Sequence, residues 1–263
     1  MVKFDFKKRV ISMLKVDFRR MFTMPIFYII TGVSFVIPIL VLVMTSLMAG
    51  TVSIDPVTGE ETIMEGFTNV WQSIAVVSSE SATMSMDLVS MCNINMLYFI
   101  IAVLVCIFIG DDFRSGYVKN LFTVRSKKND YVISKSIVLF VGGAIMLIAY
   151  FIGAMIGGAI SSLSFDLGTA GISGIIMCML SKIFLVAIFV SIFVVMSVVG
   201  KQRVWLSMIG SLGVSMLLFN IAPMVSPLDS TIMNVILSLG GGLLFSIGIG
   251  AISNLVLKKT RLV

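Results

Sequence analysis

Few residues in this chain could carry chemistry, and their pattern excludes more than it offers. There is no histidine, which removes imidazole metal ligands, His general bases and Ser-His triads together. The three cysteines, Cys92, Cys106 and Cys178, sit in or beside apolar runs without CxxC spacing; they read as small apolar packing residues. No G-x-x-x-x-G-K-S/T motif occurs, and Gly240-Gly241-Gly242 lies inside an apolar run. The chain therefore has no Walker loop to cradle ATP phosphates. Glu60-Glu61 is a carboxylate pair, but no histidine completes a hydrolytic site around it.

What remains is polar residues in apolar surroundings. Lys182 stands about seven residues into an apolar run, roughly 10 Å from its outer end at 1.5 Å per residue. A cation at that depth is a functional suspect. The favoured reading is that Lys182 snorkels outward, with the span starting nearer 183. Asn93, Asn95 and Asn220 lie near outer ends of apolar runs and are candidates for an outer cavity together with Lys182. No paired intramembrane carboxylates are visible to form a proton relay.

The chain has 263 residues, of which 58% are hydrophobic and 12% charged, with mean hydropathy +1.11. Soluble domains carry about a quarter charged residues. So much apolar surface cannot be hidden inside the chain, so an all-α membrane protein is expected. Six runs reach the roughly 20 residues needed to cross a bilayer: 25–49, 91–110, 136–161, 175–199, 204–222 and 231–257. They form a single transmembrane domain over 1–263. Pro25 suits a helix N1 position, and Pro38 predicts a kink.

Charge orients these spans. All of the 19 basic residues except Lys182 fall in the N-terminal segment, the 111–135 connection, Lys201 and Arg203, or the tail. The opposite loops hold Asp55, Glu60, Glu61, Glu65, Glu80, Asp87, Asp166 and Asp229. By the positive-inside rule both termini are cytoplasmic. The N-terminus is not expected to be a cleavable signal, because its apolar run is too long for an h-region. Residues 1–23 read as a basic amphipathic helix in the inner interface. Phe6, Val10, Leu14, Phe18 and Met21 share one face, and Lys8, Ser12, Lys15 and Arg19 the other; Asp17 and Lys7 break the pattern. The extracytoplasmic loop 50–90 carries a turn signal at Asp55 to Gly59. Residues 68–77 form either a short helix or a strand on the membrane surface.

Small residues recur every four positions. Asn234, Ser238, Gly242, Ser246 and Gly250 do so in the sixth span, Ser207, Ser211 and Ser215 in the fifth, and Gly153 and Gly157 in the third. Such stripes permit close helix approach, within the bundle or at a dimer seam.

The densest charge after the N-terminus lies between spans two and three. Asp111 and Asp112 follow the second span and are expected at a helix start, where negative charge is favourable. Phe113, Tyr117, Val118, Leu121 and Val124 then form one face of a short helix, with Arg114, Lys119 and Arg125 off it. Such a helix offers apolar side chains to a groove on a separate soluble protein, and charges to its rim.

This segment resembles the first cytoplasmic loop of ABC-2 type transporter permeases. There an acidic residue closes the second span, a Gly-containing helix leads to a basic residue, and a Lys opens the third span. The corresponding residues here are Asp112, Gly116 with Leu121, Arg125 and Lys135. Many members carry Glu in place of Asp112, and a Pro where this chain has Thr123-Val124. The six-span topology and the N-terminal helix also match. The resemblance implies that 111–130 is a coupling helix, with Asp111, Asp112, Phe113, Arg114, Gly116, Tyr117, Lys119, Leu121, Arg125 and Lys135 its coupling residues. It implies a bacterial cytoplasmic-membrane permease with no enzymatic activity. ATP and Mg would be bound by a dimer of partner ATP-binding subunits. The other partners would be lipid and a second copy of the chain or a related permease, with no nucleic acid. The cargo would be amphipathic, an antimicrobial peptide or hydrophobic drug. An ion-coupled secondary transporter is the alternative; an intramembrane enzyme is a distant third.

Overall fold

A computed structural model describes residues 6–54, 61–63, 66–75, 93–123, 128–168, 171–201, 203–219 and 222–259. Helix α1 (Phe6–Thr23) leads through Met24 into α2 (Pro25–Met48), with Pro25 at the expected N1 position. A small antiparallel hairpin follows, β1 (Val52–Ile54) with β2 (Glu61–Ile63). The expected turn between the strands lies outside the described residues. Then come α3 (Leu97–Arg114), α4 (Tyr117–Thr123), α5 (Lys128–Ile160), α6 (Gly171–Gly200), α7 (Val204–Phe219), α8 (Ala222–Val225) and α9 (Ile232–Lys259).

Among the described residues five helices are long and apolar enough to cross a membrane: α2, α3 with the turn before it, α5, α6 and α9. The segment expected to be the fifth span is different. Its helix α7 has 16 residues, about 24 Å at 1.5 Å per residue, short of a bilayer core of about 30 Å. Other boundaries also shift. The second span runs on through Arg114, and the third begins at Lys128. Both ends of the expected 111–130 helix therefore belong to the two flanking helices, and α4 covers only Tyr117–Thr123.

Side-chain register gives each helix its direction. Gly153 and Gly157 of α5 meet Phe35 and Ile39 of α2, so these two run parallel. A Cβ at Gly153 would overlap the Phe35 carbonyl oxygen, and one at Gly157 would lie 2.8 Å from the Ile39 Cα. The absent side chains let the backbones touch, with Pro38 packed into the same contact. Along α6 and α7 the matched pairs are Gly200 with Ser207 and Met196 with Gly210, an antiparallel pairing. Along α6 and α9 they are Ala187 with Gly242 and Ser191 with Ser246, a parallel one. Helix α7 thus turns back along α6, and α9 returns in the direction of α6.

The segment 66–75 is neither a strand nor a surface helix. It enters one end of the bundle as a 3-10 turn, Val70–Ser73, capped by Asn69. Val70 and Ile74 are fully buried, and Trp71 lies against Phe151 and Phe165. Gly158 leaves the room that Val70 fills.

Candidate functional site

One of the two residues that broke the pattern of the first helix, Asp17, is the centre of the site. Helix α1 packs on α5 through Val10, Met13, Asp17 and Met21, a stripe rotated from the expected one. Phe6 is outside it and 53% exposed. Asp17 therefore points into the protein, where a bare carboxylate would be costly. Lys135 meets it there: its Nζ lies 2.8 Å from Asp17 Oδ1 and 2.7 Å from Asp112 Oδ2. All three side chains have no exposed surface.

The cluster is saturated. Ser134 Oγ donates to Asp17 Oδ2 at 2.6 Å, and Tyr131 OH donates to Asp112 Oδ2 at 2.9 Å. Arg20 Nη1 donates to Asp112 Oδ1 at 2.5 Å. Every carboxylate oxygen thus has a donor, and two anions face two cations. This is the condition under which a buried ion cluster is tolerated. The Lys135 ammonium also stands 4.1 Å from the centre of the Phe108 ring, and the Arg20 guanidinium 4.1 Å from that of Tyr117. Burial works against the Arg20 charge, but Asp112, Tyr117 and Asp17 together outweigh it and the pKa is raised. Burial also raises the Tyr117 phenol, with Asp17 adding to the effect, so it stays neutral.

Four elements converge on this cluster: α1, the end of α3, the start of α4 and the first two turns of α5. A second tie, Arg9 Nε to Asp130 Oδ2 at 2.9 Å, holds α1 to α5 one turn further out.

Two expectations for this segment are corrected. Asp111 and Asp112 occupy the last turn of α3, not a helix start. The helix dipole disfavours negative charge there, and for Asp112 the two cations offset it. The apolar face of α4 is not offered to a partner either. Val118 is 1% exposed and Phe113 7%, and Leu121 and Phe122 pack on the core. The amphipathic pattern is spent on the chain's own bundle, so the outward face carries Arg114, Lys119, Asn120 and Thr123. Between α3 and α4 the chain bends at Ser115-Gly116. Gly116 has φ +74°, a conformation that favours glycine. Val124 and Arg125 lie outside the described residues.

At the other end of the bundle Lys182 does not snorkel. It lies about three turns into α6 and is fully buried. Its Nζ is 3.0 Å from Ser226 Oγ and 3.3 Å from Asn95 Oδ1. Among the described residues no carboxylate pairs with it. Asn93 is also buried and caps the short turn that carries Asn95. Asn220 lies outside the described residues.

The small-residue stripes face into the chain. Ser207, Ser211, Ser215 and Ser238 are buried. Ser211 and Ser197 both reach Cys106, at 3.4 and 3.5 Å. Gly242 lies against Phe184 and Ala187 of α6, and Ser246 bonds Ser191 at 2.9 Å. Gly250 is the open member: a Cβ there would meet only Val132, at 4.0 Å.

Sequence reasoning found Asp112 and Lys135 but missed Asp17, Arg20, Tyr131 and Ser134. The available signal was an acid placed among the apolar positions of a basic amphipathic helix.

These features define a multi-pass helical membrane protein with a buried ion cluster at one end of its bundle. No family model, curated protein or solved structure matches the chain.

Proposed function

We propose that this chain is the permease subunit of an ATP-driven exporter of the ABC-2 type, moving an amphipathic compound with energy from a separate ATPase. The observation that carries the reading is the Asp17–Lys135–Asp112–Arg20 cluster. It fastens the N-terminal helix, the end of α3 and the start of α5 to the joint from which α4 projects. A push on the exposed polar face of α4 has a stiff route into three helices, because every carboxylate oxygen is already bonded and little slack remains. The basic groups Arg114 and Lys119 on that face suit an acidic rim on a soluble partner.

The membrane arrangement belongs to the same proposal. Six crossings put both termini in the cytoplasm, with the short helix α7 as the fifth. The reversal of α7 along α6 and the return of α9 in the direction of α6 support this, and so does the gathering of basic residues at one end. The working unit would be two permease chains on two ATPase subunits. An antimicrobial peptide or hydrophobic drug is the favoured cargo.

The test is co-purification from membranes of the source cell, comparing the native chain with an Arg114→Glu/Lys119→Glu variant. An ATPase subunit bearing a Walker motif is expected with the native chain and not with the variant, while both remain monodisperse. Equal recovery with both, or with neither, refutes the coupling role of α4.

One observation favours a second reading. Lys182 is buried beside Asn95 and Ser226, as a coupling-ion or substrate site of a secondary transporter would require. Transport in vesicles that depends on an ion gradient, and not on ATP, would select it.

A further inference from the structure

Helices α5 and α9 diverge in front of α6 and leave a cavity of about 600 Å³, within the roughly 300–1,000 Å³ of small-molecule sites. Its back wall is Phe184, Ala187 and Ser191 of α6. Its two lips are exposed apolar side chains: Ile133 and Ile137 on α5, Leu243 and Ile247 on α9. The cavity opens sideways between two apolar helices, toward the region that acyl chains occupy around a membrane protein.

It is also polarised along its length. Away from the ion cluster it is lined by Phe140, Leu239 and the flat surface at Gly242. At the end nearest the cluster it meets Asn129 and Asn254. The Asn254 Oδ1 is buried and, among the described residues, has no hydrogen-bond partner, so a residue lining this end keeps an acceptor still to be satisfied. Lys128, next to Asn129 in the chain, donates to the Leu257 carbonyl in the last turn of α9. Apolar depth, a lateral mouth and a polar end beside a lysine together match one class of ligand.

We propose that this cavity is a binding site for a membrane phospholipid from the leaflet on the basic side. One acyl chain lies between α5 and α9, and the head group sits at Asn129 and Asn254. A second copy of this chain is the less fitting occupant. The cavity is a cleft with a polar end, and a transmembrane helix would bring a continuous apolar surface. The site does not depend on ATP coupling, and it gives Gly250 a purpose, since a side chain there would fill the cleft.

The probe is phosphatidylglycerol with a diazirine in mid-chain, incorporated into vesicles with the full-length protein and photolysed. Cross-linked peptides are then mapped. Label is expected to concentrate on Ile137, Phe140, Phe184 and Leu243. Gly250→Leu should lower that labelling at least five-fold. Gly248→Leu, on the same helix with nothing within 4 Å of the added Cβ, should leave it unchanged and controls for folding. Uniform labelling of all lipid-facing positions on α2, α7 and α9 overturns the site. So does equal labelling in the two variants. Cross-links between two copies of the chain at these residues, in place of lipid adducts, assign the cleft to a dimer and overturn it too.

Discussion

Lys135 and Asp17 lie 2.8 Å apart although 118 positions separate them in the chain. Lys135 is also the bridge between two carboxylates, so its loss leaves Asp17 without a cation and Asp112 with Arg20 alone. Lys135→Met should cost about 3–5 kcal/mol, the usual penalty for leaving a buried charge unpaired. Asp17→Asn added to Lys135→Met should recover part of that loss, because Asp112 keeps Arg20. Thermal unfolding of the detergent-solubilised variants, arranged as a double-mutant cycle, reads the coupling. Simple additivity would mean that the two residues do not interact.

Helix α2 leans directly on the glycines of α5. Gly153→Ala places a methyl group against a backbone oxygen that cannot rotate away, and should destabilise by about 1–3 kcal/mol or more. Gly32→Ala, where nothing lies within 4 Å, should be neutral or slightly stabilising. Matched melting curves check both. A similar shift in the two variants would show that α2 and α5 do not meet at Gly153.

Lys182 poses the opposite question from Lys135. If its only partners are Asn95 and Ser226, Lys182→Met removes the cost of a buried ammonium, about 2.5–3.5 kcal/mol at a helix centre. It leaves one acceptor unsatisfied, at about 1–3 kcal/mol. The expected melting temperature is unchanged or higher. A loss of about 3–5 kcal/mol would instead reveal a carboxylate partner.

Single cysteines can report which ends share a side. In a chain whose own three cysteines are replaced, Lys119→Cys and Lys201→Cys should react with a membrane-impermeant maleimide from the same side, and Asp166→Cys from the other. All three sites are exposed. If Lys119 and Lys201 react from opposite sides, the six-crossing arrangement fails.

The helices were legible because a membrane forces apolar runs to declare themselves, and five of the runs do form helices long enough to cross. The packing glycines were legible for a related reason: a repeat of four survives in a single sequence. The ion cluster was not. Asp17 stood out only as a flaw in an amphipathic face, and nothing local says which distant cation repairs it. The orientation of α4 escaped for the same reason. Periodicity shows that Phe113, Val118 and Leu121 share a face, but only the tertiary structure decides whether the chain or a partner covers it. Lys182 was misjudged by depth. Snorkelling assumes water within reach of the side chain, and the turns carrying Asn95 and Ser226 close over it instead.

The tie between Asp17 and Lys135 also orders events during synthesis. The acid emerges first, and its cation follows 118 residues later, on the order of 10 s at typical elongation rates. Throughout that interval the first helix holds a carboxylate with no mate, so it cannot lock until α5 has entered the membrane. Nascent chains arrested short of Lys135 should leave α1 open to added protease, and chains arrested well past it should protect it. The N-terminal helix would then be the last of the early segments to settle, a latch that reports to the cell's proteases whether the third span has arrived.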